Sequence, residues 1–145
     1  MSIKLNKIVF VEDDAFTNAY LKIIAEREGI ARETLFFSTD GQALSYFSAI
    51  PYKYEFPELI FINNNLPGMS GHEFIDAVRD LPAFDEGRTQ LVYLTDTFTN
   101  TDVAAFAANG MKHFYFKAAK DFDLRSIVND IFGYKPEKDM EGIWP

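Results

Sequence analysis

Four stretches of this chain carry the residues able to do chemistry. Glu12, Asp13 and Asp14 follow the apolar run "KIVFV" (7–11). Asn63, Asn64 and Asn65 follow "ELIFI" (58–62). Thr95 ends "QLVYLT" (90–95) and Asp96 comes next, while Lys117 closes "HFYFK" (113–117). Carboxylates are what a hard divalent cation prefers as ligands. A hydroxyl and an ammonium suit the oxygens of a phosphoryl group. Each piece alone is weak, because an acidic pair or a single Lys after a strand is commonly a solvated loop. Their joint placement is the stronger signal. The anomaly is Asn63, a carboxamide among groups that elsewhere in the layout are charged.

These residues need elements that bring them together. The runs 7–11, 33–38, 58–62, 90–95 and 113–116 are short and apolar, as in buried parallel strands. Between them the apolar residues recur at helical spacing. Phe16, Tyr20, Ile23 and Ile24 mark the first helix, and Gly29 ends it. Leu44, Phe47 and Ile50 mark the second, before Pro51. Phe74, Ile75, Val78 and Leu81 mark the third, capped by Ser70. Val103, Phe106 and Ala107 form the stripe of the fourth, with Gly110 as its stop. Leu124, Ile127, Val128 and Ile131 face inward from the fifth. Five βα units with right-handed crossovers give an α/β doubly wound parallel sheet with helices on both faces. The chain is too short for an eight-stranded barrel. In an open sheet of this kind all the strand ends above meet on one rim, where ligands bind.

The 145 residues suit one domain, and 48% hydrophobic content is enough for its core. Residues 1–133 read as that domain and 134–145 as a short polar extension holding Gly and Pro. Its Trp144 either packs back on the domain or makes a surface contact. The absence of cysteine excludes disulfides and thiolate metal sites. A net charge of -8 without a basic run argues against direct nucleic-acid binding. No apolar stretch is long enough to span a membrane, and no signal core opens the chain, so a cytoplasmic location is expected. His72 at a helix start is expected to be exposed, and His113 to have a structural or surface role; two separated histidines make no metal constellation.

The motifs "VFVEDD", "LIFINNNLPGMSGHEF", "LVYLT" and "HFYFK" together resemble the receiver domain of two-component response regulators, over about residues 5–133. The resemblance implies a flavodoxin-like three-layer sandwich and a signalling module rather than an enzyme. It implies that Glu12 and Asp13 hold magnesium. Counting back from Pro67 places Asn63 where the phosphate-accepting aspartate stands. Thr95 and Lys117 match the phosphoryl-contacting residues, and Thr95 and Phe114 match the switch positions. Asn65 matches a position whose side chain borders the pocket. The partners implied are a histidine kinase or phosphorelay component. A homodimer through the helix 4, strand 5 and helix 5 face, drawn from 101–132, is also implied.

The sequence departs from the pattern where reactivity resides. A carboxamide is neutral and its nitrogen lone pair is delocalised, so Asn63 is a poor nucleophile. It can still bond Lys117 or offer its oxygen to a cation. One negative charge is missing, so a magnesium site of Glu12, Asp13, Asn63 and Asn65 is expected to be weak. Asp96 stands where a small residue is usual, and Ala118 where a proline in a cis peptide is usual. With Ala a cis bond costs about 2.5–4 kcal/mol, so a trans bond is expected. Two readings stand. One is an atypical receiver that binds partners without aspartyl phosphorylation. The other is a working phosphoacceptor in which Asn63 is an engineered or recent replacement of Asp. A flavin or nucleotide binder is disfavoured, because "EDDAF" supplies no phosphate-cradling glycines.

Overall fold

Five parallel strands form the sheet: β1 (Leu5–Val11), β2 (Ala31–Phe37), β3 (Leu59–Ile62), β4 (Gln90–Thr95) and β5 (Phe114–Phe116). Their spatial order is β2-β1-β3-β4-β5. The helices are α1 (Ala15–Glu28), α2 (Asp40–Ser48), α3 (Gly71–Arg79), α4 (Asn100–Ala108) and α5 (Leu124–Ile131). A short 3-10 turn at Lys53–Glu55, not foreseen from the sequence, links α2 to β3. This computed structural model describes residues 4–63, 66, 68–95, 100–117 and 123–133, and the side chains of these except 100–102. Asn65, Asp96, Ala118 and the extension 134–145 lie outside the described residues.

Period-two alternation sends the strand side chains to two cores. Val9, Val11, Ile60, Ile62, Leu91 and Tyr93 join Phe47, Phe74, Val78 and Phe106 on the side of α2, α3 and α4. Ile8, Phe10, Leu59, Phe61, Val92 and Leu94 join Leu21, Ala25, Leu124 and Val128 on the side of α1 and α5. Phe10 opposes Phe36 in one register and Phe61 in the other. The three rings stack across β2, β1 and β3 with centroids 4.9 and 4.8 Å apart. Such offset rings add to the area they bury. They hold β1 and β3 in line, and the site lies at the ends of those two strands.

The helix caps agree with the sequence reading. Ser70 accepts from the Glu73 amide at the start of α3. Gly29 ends α1 in the left-handed conformation, φ 58°. Asp14 caps α1, its carboxylate accepting from the Thr17 amide at 3.0 Å. The Thr17 hydroxyl and amide hold Asp14 below the usual carboxylate range.

Two helix stripes differ from expectation. Phe16, Tyr20 and Ile23 point to solvent, while Leu21 and Ala25 are buried and Ile24 is partly so. Apolar residues on α1 offer two stripes at helical period, and the one seated on the Phe10 face is the one with smaller total bulk. Among the described side chains of α4 only Phe106 is buried; Val103 and Ala107 are exposed. The Phe106 ring centroid lies 4.1 Å from that of Tyr93, which seats α4 on the sheet. His72 is half-buried rather than exposed.

Candidate functional site

Strand order reverses between β2 and β3 around β1, so the crevice opens at the carboxyl ends of β1 and β3. The Glu12 amide donates to Phe37 O at 2.9 Å, and the Asn63 amide donates to Val11 O at 2.9 Å. These ladder bonds continue the sheet one residue beyond the strands and set both side chains on the rim. Further along, the Lys117 amide donates to Thr95 O at 2.8 Å. Glu12, Asn63 and Thr95 are buried, and Asp13 is exposed.

The structure brings Glu12, Asp13, Asn63 and Lys117 into one cluster. The Asn63 Nδ2 donates to Glu12 Oε2 at 2.8 Å and to Asp13 Oδ1 at 2.9 Å. These two acceptors assign the amide's orientation, since both partners are carboxylates. Lys117 Nζ forms an ion pair with Glu12 Oε1. The Asp14 amide also donates to Glu12 Oε2, at 3.1 Å. Asn18 on α1 donates from Nδ2 to Glu12 O at 2.8 Å. Glu12 therefore takes donors on both oxygens. Burial still pushes its carboxyl above the usual range, with Lys117 and the Asp14 amide pulling the other way. Phe114 is half-buried, its ring 5.5 Å from Phe106. It packs with α4 and is not among the residues gathered around Glu12.

The donor set speaks to magnesium. A cation on Glu12 and Asp13 needs carboxylate oxygens facing open space. Here those oxygens face N–H donors, and the central amide must turn its oxygen inward before it can coordinate. Two carboxylates, one of them paired with Lys117, and one neutral amide make a weak fit. Among the described residues no group of three or more His, Cys, Asp or Glu is placed to hold a metal ion.

One residue of the rim escaped the sequence reading. Asp40 opens α2 and is buried. Its carboxylate accepts from the Met69 amide and from the Gly41 amide. A Cβ on Gly68 would lie 2.5 Å from Asp40 Oδ2. Asp40 thus seats the turn that leaves the site after Asn63. The available signal was "STDG" after β2 joined to the glycine of "LPGMSG", but nothing in sequence distance links positions 40 and 68.

No protein-family model matches the chain, and no curated protein matches it in sequence. Solved structures do match. One is the CheY-like response regulator receiver domain protein of Methanospirillum hungatei, 21% identical, with 94% of this chain and 98% of that one covered and a TM-score of 0.69. Another is the receiver domain of the histidine kinase CKI1 from Arabidopsis thaliana, complexed with Mg2+ and BeF3-. It is 15% identical over 88% and 90% of the two chains, with a TM-score of 0.73. A third is the receiver domain of Ssk1 from Saccharomyces cerevisiae, crystallised with the histidine phosphotransfer protein Ypd1. It is 19% identical over 92% and 91%, TM-score 0.68. The chain has the CheY-like receiver fold, with Asn63 at the carboxyl end of β3. No helix among the described residues is long and apolar enough to cross a membrane.

Proposed function

We propose that this chain is an atypical receiver: a signalling interaction module that works without aspartyl phosphorylation. One observation carries the reading. The Asn63 amide donates to both Glu12 and Asp13. It satisfies with hydrogen bonds two carboxylates that would otherwise call for a cation, and it presents no nucleophilic oxygen. A module that performs no transfer must act by binding. Partners in the histidine-kinase or phosphotransfer class suit a receiver fold, and Ssk1 meets Ypd1 in that way. Val103 and Phe116 are exposed on α4 and β5, which supports contact through the α4-β5-α5 face as well. Magnesium, where it binds, would sit weakly on Glu12 and Asp13 with Asn63 turned, supplying charge neutralisation. Asn65 is the remaining candidate ligand.

The second reading, a phosphoacceptor with Asp at 63, draws support from the retained Glu12, Thr95 and Lys117 on the rim. Wild type and N63D are incubated with Mg2+ and a small phosphodonor, and the intact chains are weighed. The wild type is expected to gain no mass. A labile phosphoryl adduct on the wild type would overturn the proposal. An adduct on N63D alone would show that the scaffold retains competence, favouring a recent or engineered replacement of Asp.

A further inference from the structure

A cavity of about 380 Å³ lies at the amino ends of β4 and β5, the end of the sheet opposite the Glu12–Asn63 rim. Arg79 at the end of α3, Gln90 at the start of β4 and Met111, Lys112 and His113 ahead of β5 line it, together with the exposed Glu86. Its volume is that of a small-molecule site. Two fixed cations, Arg79 and Lys112, stand there against one carboxylate, in a chain whose net charge is -8. Asp130 also bears electrostatically on His113, from α5.

The Arg79 guanidinium is only half engaged. Its Nη1 donates to Asn109 O, one residue beyond α4. The Nε–Nη2 edge is the side of the fork that meets a carboxylate or phosphate with two parallel hydrogen bonds. Nη2 has the Met111 thioether at 4.0 Å, a weak acceptor. Nε is buried and makes no hydrogen bond. Glu86 Oε1 lies 3.7 Å from it, beyond hydrogen-bond length, on a side chain 77% exposed. Such an exposed pair contributes little, so Glu86 is easily displaced. A buried N–H without an acceptor is costly, and an incoming oxyanion removes that cost. We propose that this cavity binds a small organic anion with paired terminal oxygens, a phosphate monoester or a carboxylate, seated on the Nε–Nη2 edge of Arg79 in place of Glu86, with Lys112 completing the charge. Because the same guanidinium holds Asn109 O, the occupied site braces the end of α4, whose Phe106 packs on Tyr93.

The chain has two histidines, and of these His113 lines the cavity while His72 does not. Their ring-proton NMR signals are followed at constant pH as the full chain is titrated with sodium phosphate or sodium succinate, against sodium chloride of matched ionic strength. The His113 signals should move and saturate while those of His72 stay in place. Arg79→Gln should weaken binding about tenfold, and Lys112→Gln, at an exposed position, several-fold. Glu86→Gln should tighten it several-fold, because a neutral amide competes less for Nε; an Arg79 that only caps α4 gives no such gain. The Lys112 and Glu86 variants, both at exposed positions, decide the matter even where Arg79→Gln fails to fold. A His113 that responds to neither anion beyond the chloride control overturns the proposal. So does a response in which both histidines drift without saturating, or one that Lys112→Gln and Glu86→Gln leave unchanged. A stronger saturable response to phosphate assigns the site to phosphate esters, and to succinate, to carboxylates.

Discussion

Replacing Asn63 by Asp tests how the rim is held together. The Asn63 Nδ2 sits 2.8 Å from Glu12 Oε2 and 2.9 Å from Asp13 Oδ1. In N63D a carboxylate oxygen takes that place. Two hydrogen bonds to charged groups, about 1.5–3 kcal/mol each, are lost. Like charges about 4 Å apart then repel by about 4 kcal/mol per pair at an effective dielectric of 20. Lys117 offsets part of this, and Asp13, being exposed, can swing away. The net expectation without divalent cation is a loss of about 2–4 kcal/mol, or roughly 10 °C in Tm for a domain of this size. The repulsion raises the new carboxyl's pKa in the folded state, so the gap narrows as pH falls. Magnesium should reverse the loss, because N63D then offers three carboxylates to one cation. At a hundredfold excess over Kd the recovery is about 2.7 kcal/mol. Thermal unfolding of wild type and N63D, each in EDTA and in MgCl2, measures all four states. The wild type should gain less than about 1 kcal/mol from magnesium. The reasoning fails if the wild type gains as much as N63D, or if N63D in EDTA is as stable as the wild type.

Gly68→Ala should cost about 1–3 kcal/mol in denaturant unfolding, because its Cβ would fall 2.5 Å from the Asp40 carboxylate. In the double variant with Asp40→Ala the cost of the added methyl should shrink; strictly additive losses would show that the two residues do not meet. His113 has its pKa lowered, first by burial and then by Lys112, with Asp130 opposing. The unfolded chain therefore binds more protons just below pH 6.5, so stability is full above that value and falls as pH drops through the folded pKa. His113→Asn should flatten this part of the stability profile between about pH 7.5 and 5.5; an unchanged slope assigns it to other groups.

The order of strands and helices, the caps at Ser70 and Gly29 and the gathering of Glu12, Asp13, Asn63 and Lys117 were legible in the residues. Short apolar runs alternating with helical periodicity admit few topologies, and a parallel sheet carries all its strand ends to one rim. The chemical character of position 63 was equally legible, because a carboxamide is a carboxamide in any fold.

Three things required the tertiary structure. Which stripe of α1 faces the sheet depends on how the Phe10, Phe36 and Phe61 rings fill the space beneath it, and periodicity cannot rank two stripes of one helix. The clamp of Asp40 on the Gly68–Met69 turn joins residues 29 apart in the chain. The orientation of the Asn63 amide follows from two carboxylates meeting it from the end of β1, 50 and 51 residues away. Local patterning reports what each segment prefers, whereas these contacts are set by where other segments arrive.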